Sequence, residues 1–283
     1  MKEHKFLTTA AGVKMPWIIY GTAWKKERTL DLVVKAVQNG FQGIDTACQP
    51  KHYDEPLVGA ALQRLDEYGI RRQALFVQTK FTPLDGQDPR RVPYARNASL
   101  ASQVTQSFEV STKNLQTDYV DSLVLHSPLF PHTLLMEAWT AMEAIQKTGG
   151  ARQLGISNCY STEVLAQLYA DANVKPAVVQ NRFYQQTGYD SDLRKWCAHH
   201  GIIYQSFWTL TANPHILNSE TIKNISQHHQ KTKAQTFFRF LNQSGIVPLT
   251  GTSSEQHMQE DLDVFDFELA ADELKTIKQM IEK

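Results

Sequence analysis

The 283-residue chain has no excess of either charge: 29 basic side chains stand against 29 acidic ones. That balance removes the global field that would draw nucleic acid or an anionic membrane, so neither is expected as a partner. A local anion site, such as one for a cofactor phosphate, stays compatible with it. Cysteine is scarce. Cys48, Cys159 and Cys197 are odd in number, widely spaced and without a CxxC pair, which predicts free thiols in a reducing compartment rather than a disulfide framework. No apolar run reaches the roughly 20 residues that cross a bilayer, and the opening MKEHKFLTTAAGVKM lacks the apolar stretch of a signal peptide. A cytoplasmic location is the expectation. The histidines include the pairs His199-His200 and His228-His229 but no HxxxH or HExxH spacing, so they read as solvated surface groups and no metal site is expected.

What is present is an alternation. Short apolar runs (residues 17–20, 41–44, 74–79, 119–125, 154–156, 177–179, 202–207 and 245–248) alternate with stretches of helical spacing (27–39, 56–68, 98–115, 133–147, 162–170, 190–200, 233–243 and 254–264). A partly helical insertion fills about 209–232, and a last helix over 271–281 closes the chain. Residues 5–15 read as a hairpin turning at Ala11-Gly12. Eight strand runs, each followed by a helix, predict a (β/α)8 TIM barrel: an α/β fold with an N-terminal β-hairpin and a closing C-terminal helix, as one domain over 1–283. A doubly wound sheet is the structural rival. It is weakened by the absence of GxGxxG.

Several apolar strands end in an isolated polar residue: Asp45 after Ile44, Lys80 after Thr79, His126 after Leu125, Ser157-Asn158 after Ile156, and Gln180 after Val179. In a barrel these ends converge on one mouth. Each has a structural reading of its own. Asp45 or Ser157 can cap a helix, Lys80 can extend to solvent, and His126 can satisfy a turn. Together they resist that explanation, because neither lysine nor histidine is an N-cap residue and a buried ammonium needs a partner. Asp45 and Lys80 supply opposite charges. A tyrosine beside an ammonium is expected to have its phenol pKa lowered, and His126 can hydrogen-bond a substrate oxygen or relay a proton. Such a group suits carbonyl reduction, with hydride delivered by a cofactor and the proton by the phenol.

At this point the residues resemble the aldo-keto reductases. Gly40–Ala47 (GFQGIDTA), Leu75–Lys80 (LFVQTK), Asp118–His126 (DYVDSLVLH) and Leu154–Asn158 (LGISN) are similar to four ordered motifs of that family, and the likeness runs from Gly12 to Phe267. The resemblance implies an NAD(P)H-dependent reductase of aldehydes or ketones, including dicarbonyls and keto-sugars, with a small-molecule carbonyl substrate and a monomeric state. It implies Asp45, Tyr53, Lys80 and His126 as catalytic residues, with Tyr53 as general acid. Ser157, Asn158 and Gln180 would bind the nicotinamide carboxamide, Phe207 would stack on its ring, and Gly21, Thr22 and Trp24 would line the mouth, Trp24 and His126 toward the substrate. Thr250, Gly251, Thr252, Ser253, His257 and Asp261 would meet the adenosine end.

Three departures accompany the resemblance. The family spacing D-T-A-x-x-Y-x-x-E is lengthened here to Asp45-Thr46-Ala47-Cys48-Gln49-Pro50-Lys51-His52-Tyr53-Asp54-Glu55, which leaves His52 as a rival to Tyr53. The family's phosphate-binding lysine and arginine are replaced by Gly251 and His257, and an asparagine by Asp261. NADP(H) is therefore the family expectation, with NAD(H) as the alternative. The chain stops soon after its last helix, which predicts an open, permissive mouth. Cys48 beside the active loop reads as a small buried hydrophobe. A non-catalytic nicotinamide-nucleotide-binding regulatory protein on the same fold, and a barrel isomerase or lyase without nicotinamide, are the alternatives in function.

Overall fold

The computed structural model describes residues 5–281. A hairpin comes first, β1 (Phe6–Thr8) pairing antiparallel with β2 (Lys14–Pro16) through a turn at Gly12, whose φ of 76° suits a residue without Cβ. Eight parallel strands follow: β3 (Ile19–Gly21), β4 (Gly43–Asp45), β5 (Phe76–Phe81), β6 (Val120–Leu125), β7 (Ala151–Ser157), β8 (Val178–Arg182), β9 (Ile203–Phe207) and β10 (Ile246–Thr250). They close into a barrel in that order, with β10 returning to β3. The barrel helices are α1 (Thr29–Asn39), α2 (Glu55–Glu67), α3 (Leu100–Leu115), α4 (His132–Lys147), α5 (Thr162–Asp171), α6 (Ser191–His199), α9 (Lys233–Gln243) and α10 (Glu255–Leu262). The insertion contributes α7 (Pro214–Leu217) and α8 (Glu220–His228), and α11 (Ala271–Ile281) comes last. The closed barrel is the expected fold; the doubly wound alternative falls.

Local chemistry sets the element ends. In α1, Leu32, Val33, Ala36 and Val37 face inward, and Gly40 stops the helix at φ 115°, its N–H returning to Ala36 and Val37. Side chains of Asp54, Ser99, Ser161, Ser219 and Ser254 accept a backbone N–H at the start of their helices, and Thr232 with Gln235 forms a capping box on α9. Gly59 lies so close to α3 that a Cβ would stand 1.9 Å from the Asn114 carbonyl oxygen. The hairpin plugs one end of the barrel. Val13 and Met15 pack there with Ile19, Phe76, Val124, Val178 and Val247, and the Thr9 hydroxyl donates to Gln153 inside the barrel at 2.7 Å.

Strands run longer than their apolar patterns. β5 continues through Lys80 to Phe81, and β8 continues past Val179 through Gln180, Asn181 and Arg182 because Arg182 still pairs with Phe207 of β9. The adjacent histidines are not simply solvated either. His200 stacks on Trp196 at 3.8 Å, and His228 and His229 lie 3.1 and 2.8 Å from the Glu273 carboxylate, bracing α8 against α11. Among the described residues no helix is long and apolar enough to cross a membrane.

Candidate active site

The polar interior of the barrel begins with Asp45 at the end of β4. Lys80 of β5 is buried at 1% exposure and gives its ammonium to both Asp45 carboxylate oxygens, at 2.7 and 2.6 Å, and to the Thr46 carbonyl at 2.8 Å. The amides of Gln78 and Gln180 donate to the same carboxylate at 2.8 and 3.0 Å and also to Gln205 at 2.8 and 2.9 Å. Gln205 in turn donates to the Met15 sulfur. Register does this: Asp45 of β4 is the partner of Gln78 of β5, and Gln180 of β8 is the partner of Gln205 of β9, so two pairs of neighbouring strands on opposite sides of the barrel bring their polar side chains to one level of its interior. Burial pulls the Lys80 ammonium below its usual range, and the Asp45 carboxylate opposes that pull.

The lengthened loop after β4 folds as a turn. The N–H groups of His52 and Tyr53 both donate to the Gln49 carbonyl at 3.1 Å, and the Gln49 side chain donates to the Gly86 carbonyl at 2.7 Å. That turn brings the Tyr53 ring into the cavity, with the Lys80 ammonium 5.1 Å from its centroid and the His126 ring 6.1 Å away at 65°. His52 stacks instead on Trp24 at the rim, 4.0 Å between centroids, and the Trp24 N–H donates to the His52 carbonyl at 2.7 Å. Below the turn, Glu55 is buried and accepts from Thr79 at 2.5 Å and Ser111 at 2.9 Å. This carboxylate ties α2 to β5 and α3, and burial raises its pKa. Cys48 is buried beside it, with its thiol pushed up by burial and by the Glu55 charge.

The electrostatics differ from the sequence expectation at one point. Burial and the Asp45 carboxylate raise the Tyr53 phenol well above its ordinary range, whereas a neighbouring ammonium alone would lower it. All the protons of Lys80 are directed at Asp45 and Thr46, so its influence reaches the phenol through the ring face. His126 is held well below its usual range by burial first and then by Lys80, so its imidazole is neutral at neutral pH. Its Nδ1 lies 2.6 Å from the Thr82 hydroxyl. Burial, with the charge of Lys51, also lowers His52.

A cavity of about 1060 Å³ opens over this group. Its walls include Asp45, Tyr53 and His126, then Ser157, Asn158, Gln180 and Phe207, and further out Gly21, Trp24, Thr250, Gly251, Thr252, His257 and Asp261. Thr22 and Ser253 are not brought to it. Thr22 is wholly buried because its hydroxyl donates to the Asp45 carbonyl at 2.9 Å. Ser253 faces a separate groove with Arg28, Lys35 and Arg64. The Ser157 hydroxyl donates to the Gln180 carbonyl at 2.6 Å, and the Asn158 amide donates to the His126 carbonyl at 2.8 Å with left-handed backbone (φ 53°). The Gln180 Oε1 has no partner among the described residues, which leaves it open to an amide donor.

Lys25 was missed in the sequence. It lines the cavity, reaches from the loop after β3 to donate to the Gly251 carbonyl, and would sit 3.3 Å from a Cβ at position 251. Counting along the β10 loop alone shows a lost lysine; the fold returns an ammonium from another loop. Nearby, the Tyr20 phenol donates to the Thr252 carbonyl at 2.8 Å, and Asp261 accepts from Thr250 at 2.7 Å. Arg182 is a second cation of the cavity that the sequence did not single out.

Asp261 makes a pH-dependent contribution. Burial pushes its carboxyl up to about 7, against the Thr250 hydrogen bond, while the unfolded value is ~3.9. Between those values the folded chain binds more protons than the unfolded one, so this group weakens the fold as pH rises through the window. Asp261→Asn should therefore melt higher than the parent above pH ~7 and equal it near pH ~4. Thermal melts across that range test this, and a difference independent of pH would contradict it.

The model of the Aldo/keto reductase family matches residues 15–282. The chain is 30% identical over 269 residues to the glyoxal reductase of Bacillus subtilis (strain 168), covering 94% of this chain and 89% of that protein. It is 28% identical over 309 residues to the NADPH-dependent alpha-keto amide reductase of Saccharomyces cerevisiae, covering 98% and 91%. Among solved structures, an aldo/keto reductase from Brucella melitensis superposes with a TM-score of 0.82 at 26% identity, covering 97% of this chain and 98% of that one.

Proposed function

The chain belongs to the aldo/keto reductase family, and on that premise we propose that it reduces aldehydes or ketones, among them dicarbonyls and keto-sugars, with Tyr53 as the proton donor. The observation that carries the reading is the convergence of Tyr53, His126 and the Asp45–Lys80 pair on one cavity. A bound reduced nicotinamide supplies the hydride. The residues fit such a group: the cavity has the unpartnered Gln180 Oε1 beside Ser157 and Asn158 at one end, and neutral hydroxyls with the Lys25 ammonium at the other.

The chain's own groups do the rest. A phenol whose pKa is raised keeps its proton at neutral pH and releases it only to an oxygen that is gaining negative charge. The neutral His126 imidazole can orient that oxygen without competing as an acid. His52 is the weaker candidate, because it stacks on Trp24 at the rim and is lowered toward its neutral form. Tyr53 lines the cavity despite the lengthened loop, which favours catalysis over a non-catalytic reading. A cytosolic monomer goes with the proposal, and the three free, buried cysteines are consistent with a reducing compartment.

NADP(H) is the proposed cofactor, with NAD(H) as the lesser partner. The charge missing at Gly251 and His257 is supplied in part by Lys25, Arg28 borders the groove that takes in Ser253, and a partly protonated Asp261 repels a phosphate less than a full carboxylate would. The relative named for NADPH dependence points the same way.

Absorbance of the reduced nicotinamide, followed with a panel of aldehydes, dicarbonyls and keto-sugars and with each cofactor in turn, tests the activity directly. Turnover is expected; cofactor binding without turnover would favour the regulatory reading. Tyr53→Phe should lower turnover about 10²–10⁴-fold while leaving cofactor affinity intact, and retained turnover would move the acid elsewhere. Lys25→Met should weaken NADPH by about tenfold to a hundredfold and spare NADH. An equal loss for both cofactors would place Lys25 on a part they share.

A further inference from the structure

The last residue of β8, Arg182, lines the cavity and is half-buried. Its guanidinium makes no hydrogen bond and no ion pair with any described residue. It lies instead against two aromatic rings, 4.1 Å from the centroid of Trp208 and 5.3 Å from that of Tyr184. A guanidinium is permanently charged, and half-burying it without an anion is unfavourable. Side chains with a purely structural role usually find a carboxylate, as Arg72 does with Asp121 at 2.8 Å in this fold. The rings take up the cation without accepting a hydrogen bond from it, so its N–H donors stay available for a forked bond with a carboxylate.

The surroundings constrain this part of the chain. Trp208 follows β9 with left-handed backbone (φ 56°), a conformation that bulky residues adopt at a cost and that clusters at functional sites. The backbone N–H of Arg182 donates to the Tyr160 hydroxyl at 3.3 Å, and Tyr160 in turn donates to Asn158 Oδ1 at 3.3 Å, which fixes the backbone that carries the side chain. Strand alternation puts Arg182 on the same face as Gln180, about 6.6 Å further out of the barrel. It therefore stands above the nicotinamide end of the cavity. The groups at the other end of the cavity lie elsewhere on the barrel: Lys25 in the loop after β3, Thr250 and Gly251 at the end of β10, and His257 in α10. Of the cavity's carboxylates, Asp45 is bound to Lys80, Asp261 to Thr250 and Glu260 to Gln256, so none neutralises Arg182.

We propose that Arg182, clamped by Trp208 and Tyr184, is a substrate-anion subsite, and that the preferred substrates are carbonyl compounds carrying a carboxylate. This rests on the reductase reading above and narrows its substrate class. The carbonyl would lie toward Tyr53 and His126 and the carboxylate toward Arg182, so chain length between the two groups becomes a determinant of fit.

The test compares succinic and adipic semialdehydes with butanal and hexanal, in the parent, Arg182→Met and Arg182→Lys. Methionine keeps an apolar stem against Trp208, and lysine keeps charge without the fork. The parent should favour at least one oxo-acid over its neutral counterpart. Arg182→Met should raise KM for that acid by about tenfold to a hundredfold while leaving neutral aldehydes, kcat and cofactor affinity unchanged, and Arg182→Lys should recover part of the loss. No preference in the parent, or an equal loss for neutral aldehydes, overturns the proposal. A loss of cofactor affinity instead would assign the anion to the cofactor and overturn it as well. A second arm needs no turnover: the corresponding ω-hydroxy acids, titrated with oxidised cofactor present, should change tryptophan fluorescence in the parent and not in Arg182→Met. Saturable binding there with no reduction of any aldehyde would refute the reductase reading and keep the subsite; equal binding by both proteins would refute the subsite.

Discussion

The buried pair of Asp45 and Lys80 governs the arrangement of this molecule. An isolated ion in a protein interior costs several kcal/mol even after relaxation, and a pair is tolerated only when geometry and further hydrogen bonds satisfy both members. Here they are satisfied. The ammonium has three acceptors and the carboxylate takes bonds from Lys80, Gln78 and Gln180. That requirement explains a layer of glutamines where a barrel of this kind is usually filled with branched apolar side chains. It also explains why the layer ends on the Met15 sulfur, with the apolar plug of the hairpin beneath it. The layer is the floor on which the cavity rests.

One consequence runs against intuition from the residue list. A lysine beside a tyrosine is expected to turn the phenol acidic. With every proton of Lys80 directed at Asp45 and Thr46, burial and the Asp45 charge dominate, and the phenol is raised. The same low-dielectric setting lowers His126. Phenol protonated and imidazole neutral is a matched state for giving a proton to an alkoxide: the donor is loaded and its neighbour does not compete. The two ends of the cavity then divide the remaining work. The end formed by Ser157, Asn158 and Gln180, proposed for the nicotinamide, is neutral and amide-rich, and the outer end carries Lys25 and a carboxyl, Asp261, whose pKa burial pushes up to about 7.

Much of this was legible in the sequence because the relevant information is local. Period and punctuation placed every barrel strand and helix, with boundaries shifted by a few residues where polar side chains sit inside strands, as Lys80 does in β5 and Arg182 in β8. Asp45, Lys80, His126, Ser157, Asn158 and Gln180 stood out as polar ends of apolar runs. What stayed hidden depends on contacts between distant segments. Lys25 reaches Gly251 across 226 positions, so no count along either loop shows that the charge is restored. Arg182 looks like one more surface cation until its stacking on Trp208 and its lack of a carboxylate are visible. Glu55 resembles a first-turn helix acid, and only packing shows it buried against Thr79 and Ser111. Thr22 and Ser253 erred the other way: their places in the sequence are right for the mouth, but one side chain turns inward to the Asp45 carbonyl and the other outward to a neighbouring groove.

The site depends on the Asp45–Lys80 pair being mutually satisfied, and a double-mutant cycle on unfolding free energy probes that most directly. Lys80→Met should destabilise the fold by roughly 3–5 kcal/mol, because it strands a buried carboxylate. Adding Asp45→Asn should return most of that loss, with reduction absent in both variants. Equal stability of the single and double variants, or turnover surviving in Lys80→Met, would contradict the account.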